Sequence, residues 1–112
     1  MPRLFSLSLA AAFLFPAAGM AFAQNPSFSC RGVDRCPERV ICDTPELARM
    51  DNAMAGLYFT LQGMASRPGA RALLENQRDW LASRNDCGCN ASCLVSTYSE
   101  RISALRSVIG SR

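Results

Sequence analysis

TPELARMDNAMAGLYFTLQGM, residues 44–64, joins a helix start signal to a helical stripe. Thr44 suits an N-cap, Pro45 the first helical position, and Glu46 the first turn, where an acid faces the positive end of the helix dipole. Behind them Leu47, Met50, Met54, Leu57, Leu61 and Met64 recur at alternating spacings of three and four. That spacing draws one apolar stripe along a helix of about five turns. The stripe ends at Ser66-Arg67-Pro68-Gly69, a cluster of helix breakers.

Downstream, the pattern predicts a second helix from about Ala70 to Arg84 with Leu73, Leu74, Trp80 and Leu81 inward. A cysteine-rich turn follows over 85–90. A third helix is expected from near Ala91, carrying Leu94, Tyr98, Ile102, Leu105 and Ile109. Upstream, Cys30 to Cys42 is compact, and Pro37-Glu38 suits the first turn of a short helix. β-branched residues are sparse and alternation of period two is missing, so strands are not expected. The fold class is all-α: a small antiparallel bundle of three main helices, with a short N-terminal helical segment pinned alongside by disulfides.

Before this body lies a leader. Met1-Pro2-Arg3 is charged, Leu4 to Met20 is apolar, and Ala21-Phe22-Ala23 places small residues where signal peptidase needs them. A Sec-type signal peptide over 1–23, cut after Ala23, leaves one domain over 24–112 in the periplasm or outside the cell, with no stable membrane anchor. All six cysteines (Cys30, Cys36, Cys42, Cys87, Cys89, Cys93) fall in that part. An even count in a short exported chain reads as a disulfide framework. A reduced Cys87-Gly88-Cys89 with Cys93 could hold a thiophilic metal, but an oxidising compartment and the even count speak against it. No metal or cofactor is expected.

The composition excludes some functions. Twelve arginines with no lysine stand against nine acids, a net charge of +3 that falls by one with the loss of Arg3. The balance is too even, and the arginines too scattered, for a nucleic-acid binder. There is no histidine, which removes the usual general base and any Ser-His or Cys-His nucleophile pair. An enzyme is not expected.

The order of several motifs resembles a family. Phe28-Ser29-Cys30, Val40-Ile41-Cys42, Glu46-Leu47 with Asp51, and Tyr58 form its front half. Gln77-Arg78-Asp79-Trp80-Leu81 with Arg84 forms the middle, and Cys93-Leu94, Tyr98, Arg101-Ile102 and Leu105 the end. This pattern resembles the lysozyme inhibitor LprI-like N-terminal domain family of small exported bacterial helical proteins, from Phe28 to about Arg106. The resemblance implies Cys30–Cys42 as a front cystine and Cys87–Cys93 as a rear one, which leaves Cys36 with Cys89. Cys36 and one member of the rear cluster are additional to the family's usual cysteines. Ser27-Phe28-Ser29 before Cys30 is a poor lipobox, so no lipid anchor is expected.

The resemblance also implies a protein-binding role, with inhibition of lysozyme or another cell-wall hydrolase as the named activity. The alternative is an envelope-associated interaction module that inhibits nothing. Asp51, Tyr58, Gln77, Trp80, Arg84, Tyr98 and Arg101 are the polar and aromatic residues of the pattern. Without a histidine or a metal they read better as a buried network setting helix register than as a catalytic cluster. Trp80 reads as core before interface anchor. Arg31, Arg35 and Arg39, four apart, would share a face if helical and are the candidate contacts for an acidic partner surface.

Overall fold

The computed structural model describes residues 25–111 and holds four helices: α1 (Cys36–Asp43), α2 (Pro45–Met64), α3 (Arg67–Asn85) and α4 (Ala91–Gly110). No strand occurs among the described residues. The expected leader over 1–23 and its expected cleavage site lie outside them.

Short connections make successive long helices antiparallel. Asp51 meets Tyr98 at one end of the bundle, and Leu61 lines a cleft with Leu105 at the other, so α2 and α4 run in the same direction. Helix α3 runs back alongside both, bringing Gln77 to Met54 and its first turn, at Ala70, to Gln62. The largest packing is between α2 and α4. There Leu47, Met54, Leu61, Leu94, Tyr98, Ile102 and Leu105 bury against one another, with Ile41 of α1 closing the base. Each fully buried aliphatic side chain adds about 1.5–3 kcal/mol.

Thr44 ends α1 and begins α2, so the two helices share a one-residue hinge. It occupies the expected N-cap position, but its side chain makes no cap hydrogen bond. Ser66-Arg67-Pro68-Gly69 does more than interrupt. Ser66 accepts the Gly69 N–H at 3.3 Å, and Pro68 sits in the first turn, where a missing N–H costs nothing. Helix α3 therefore starts at Arg67, three residues before the expected Ala70. In the α3–α4 turn Gly88 has φ +58°, a left-handed conformation that suits glycine between Cys87 and Cys89. Asn90 then caps α4 by accepting the Cys93 N–H at 3.0 Å.

Two buried faces are rotated from the sequence expectation. On α2 the buried line runs Leu47, Asp51, Met54, Tyr58, Leu61, while Met50 and Leu57 are half-buried and Met64 is 46% exposed. On α3 the buried residues are Gln77 and Arg84, with Leu73 and Trp80 half-buried beside them. Leu74, expected inward, is 39% exposed. Neighbours on a helix point about 100° apart, so an inward Leu73 turns Leu74 toward solvent.

The cystines are Cys30–Cys42, Cys36–Cys89 and Cys87–Cys93, the same pairs that the resemblance implies. No cysteine is free among the described residues, which is the chemistry of an oxidising compartment. No helix among them is long and apolar enough to cross a membrane.

Candidate functional site

All the polar residues of the sequence pattern except Tyr58 gather into two buried clusters joined by Trp80. The first centres on Asp51, 1% exposed in the middle of the buried face of α2. Its Oδ1 accepts the Tyr98 hydroxyl at 2.7 Å. Its Oδ2 accepts the Ser27 backbone N–H at 2.6 Å and the Ser27 hydroxyl at 2.5 Å. Tyr98 in turn accepts from Arg84 Nη1 at 3.2 Å. Arg84 spends its remaining donors on Asn85 Oδ1, at 3.2 and 2.9 Å, and approaches Glu38 of α1 at 3.7 Å. Its guanidinium also lies 5.8 Å from the centre of the Phe28 ring, within cation–π range.

The second cluster ties α3 to α4. Gln77 Oε1 accepts from Arg101 Nε at 3.2 Å and Nη2 at 2.8 Å, and Asn76 Oδ1 accepts from Nη1 at 2.6 Å. Gln77 Nε2 donates to the Met54 sulfur at 3.1 Å, which carries the link to α2. Trp80 packs edge-on against Tyr98, with ring centres 5.1 Å apart, while Arg101 stands 5.8 Å from its ring centre. Tyr58 belongs to neither cluster: its hydroxyl accepts from Gln62 at 2.8 Å, and Gln62 also donates to the Ala70 carbonyl.

Every buried side-chain nitrogen and oxygen among the described residues has a hydrogen-bond partner. Three of the roughly four lone-pair sites on Asp51 are filled, and the group is sealed from solvent. A carboxylate so committed is built to hold three elements together: α2, α4 and the segment at Ser27. Cys87, Cys89 and Cys93 are all in cystines, so none offers a thiolate to a metal.

Burial, and then the adjacent Asp51 charge, push the Tyr98 phenol well above its ordinary range. Burial lowers the Arg101 pKa from its ordinary value. The tyrosine shift sets a sign for alkaline stability. Below the unfolded-state value of about 10, both states keep the proton and the full contribution is present. Above it the unfolded chain sheds the proton first, and stability falls by up to about 1.4 kcal/mol per pH unit until Tyr98 ionises in the fold. Urea midpoints measured between about pH 9 and 11 are expected to fall, and Tyr98→Phe to remove that component. An unchanged slope in the variant would assign it elsewhere.

Arg31 and Arg35 are exposed in the loop before α1, and Arg39 is exposed on α1. They do not share a helical face, because Gly32 at φ +68° turns the chain and the helix begins only at Cys36. Arg39 Nη1 donates to the Asp34 carbonyl at 2.7 Å, whereas the Arg31 and Arg35 guanidiniums have no partner among the described residues. Phe28, part of the front motif, joins the first cluster through Arg84, and Ser27, Glu38, Asn76 and Asn85 complete the two clusters without being singled out as site residues by the sequence.

No protein-family model, curated protein or solved structure matches the chain.

Proposed function

We propose that this chain is an exported, disulfide-stapled protein-binding module without catalysis of its own, directed at a lysozyme or a related cell-wall hydrolase. The observation that carries the reading is the loop holding Arg31 and Arg35. Both are exposed, and the loop is fastened at each end, by Cys30–Cys42 and by Cys36–Cys89. A loop ordered before binding loses little entropy on docking. Its guanidiniums can make charge-assisted hydrogen bonds with the paired carboxylates of a glycosidase cleft.

The leader over 1–23 and the motifs like those of the LprI-like family support export and the choice of target. The polar residues of the pattern support a non-catalytic role, since they are consumed inside the fold. A cationic lysozyme would not be steered toward a mildly basic chain, so association is expected to be slow and held by local contacts.

The test is a lysozyme activity assay with the oxidised 24–112 chain and its Arg35→Glu and Arg31→Glu variants. Wild type inhibits. Each variant melts within about 0.5 kcal/mol of wild type, as expected of an exposed substitution, and loses inhibition. A wild-type chain that leaves lysozyme fully active at saturating concentration shifts the reading to an envelope interaction module with another ligand.

A further inference from the structure

Two large apolar side chains stay exposed on opposite lips of one cleft. Phe59 of α2 is 67% exposed and Leu74 of α3 is 39% exposed, and both line a cleft of about 470 Å³ between these helices. Met54, Ala55 and Tyr58 line the same cleft. Isolated surface hydrophobics need no explanation, but two converging on one concavity do. The Phe59 ring is also held in place: it packs edge-on against Tyr58, with centres 5.3 Å apart, and Tyr58 is buried. A positioned, exposed aromatic at a cleft mouth has the form of a binding anchor.

On the face of α3 beside the cleft, the arginines have no ion-pair partner among the described residues. Arg67, Arg71, Leu74 and Arg78 are spaced by four, three and four on α3, so they form one face, and Arg78 itself lines the cleft. All three arginines are exposed and have neither an ion pair nor a side-chain hydrogen bond among the described residues. Glu75 neighbours Arg71 and Arg78 by helical spacing but faces a separate hollow with Arg67 and Arg71, outside the cleft lining, and Asp79 lies further round α3. The carboxylates within the cleft are engaged, Glu38 near Arg84 and Asp51 with Ser27 and Tyr98.

We propose that the α2–α3 cleft is a second docking site, which takes a peptide segment of another protein carrying a large apolar side chain with carboxylates about one helical turn away. The apolar residue enters between Phe59 and Leu74, and the carboxylates meet Arg78 and Arg71. A second copy of this chain fits poorly, because a symmetric contact through this face would bring two arginine rows together. The proposal does not depend on the Arg31–Arg35 loop, which lies on a different element, or on lysozyme being the target.

Phage selection of random peptides on the immobilised, oxidised 24–112 chain supplies the probe. Its dominant sequence is then made as a free peptide, with a second version bearing Lys at each acid. The expected sequence places Phe, Trp or Leu one turn from Asp or Glu. Phe59→Ala and Arg78→Glu each weaken its binding by about 30-fold, the scale of an interface hot spot. Val108→Ser, in the separate cleft formed by α2, α3 and α4, leaves it unchanged, and Arg78→Glu gains the Lys version. All three substituted residues are exposed, so the melting curves should match wild type. The proposal is overturned if no sequence is enriched, if the selected peptides lack acids, or if Phe59→Ala binds them normally. It is also overturned if the wild type forms a dimer that Phe59→Ala dissociates, or binds phosphatidylglycerol vesicles that Arg78→Glu releases.

Discussion

Replacing Cys36 and Cys89 together by alanine is expected to lower the unfolding free energy by about 4 kcal/mol, more than the loss of either other cystine. The reason is the unfolded chain. Cys36–Cys89 closes a loop with a sequence separation of 53, against 12 for Cys30–Cys42 and 6 for Cys87–Cys93. The two shorter bridges do not shorten the long one, since neither spans α2 or α3. On chain-entropy grounds they contribute about 3 and about 2 kcal/mol. A small domain has roughly 5–15 kcal/mol in total, so the long cystine decides whether the fold persists when warmed. Denaturant unfolding of three oxidised double variants checks the order. If the Cys36/Cys89 variant lost no more than the Cys87/Cys93 variant, native contacts at the bridges would outweigh loop closure.

The same arrangement explains what could be read from the chain beforehand. Helix α2 is legible in the sequence because it carries a start signal at Thr44-Pro45 and a long stripe, and α4 because its stripe follows a cysteine-rich turn; the Asn90 cap appears only in the structure. The start of α3 is hidden in the sequence because Ser66, Arg67, Pro68 and Gly69 have two uses. The residues that stop α2 also cap α3, and only the Ser66 hydroxyl facing the Gly69 N–H tells the two apart. The buried face of α2 is hidden for a different reason. Asp51 and Tyr58 sit on the buried line itself, and a search for apolar residues alone rotates the stripe toward Met50, Leu57 and Met64.

Contacts between distant segments leave weaker traces. Ser27 lies in a polar lead with no pattern, yet it supplies two of the three hydrogen bonds to Asp51 across a separation of 24 residues. The spacing of Arg31, Arg35 and Arg39 suggested a shared face only on the premise of a helix that the turn at Gly32 prevents. Phe59 and Leu74 each belong to an ordinary amphipathic helix. Their convergence depends on how far α3 stands from α2, and the periodicity of a single helix does not contain that distance.

Asp51→Ala is expected to cost about 2–4 kcal/mol, through the groups it leaves behind. The Tyr98 hydroxyl is fully buried, and losing its acceptor strands it with no route to water. Ser27 is exposed and can turn its donors to solvent, so its share of the cost is smaller, although the segment it fastens should loosen. Arg84, also buried, would keep Glu38 at 3.7 Å as its nearest acid and lose the charge beyond Tyr98. A double-mutant cycle isolates the main term. In a Tyr98→Phe background the orphaned hydroxyl no longer exists, so Asp51→Ala should cost about 1–2 kcal/mol less than in wild type. Additive losses would mean that Tyr98 is not the group left stranded. The activity assay carries the second half of the argument. If the network is structural and the wild type inhibits lysozyme as proposed, Asp51→Ala keeps that inhibition at temperatures where it remains folded, because the Arg31–Arg35 loop is held by its cystines. A variant that melts like wild type and no longer inhibits would move the binding surface from that loop to the helix bundle around Asp51.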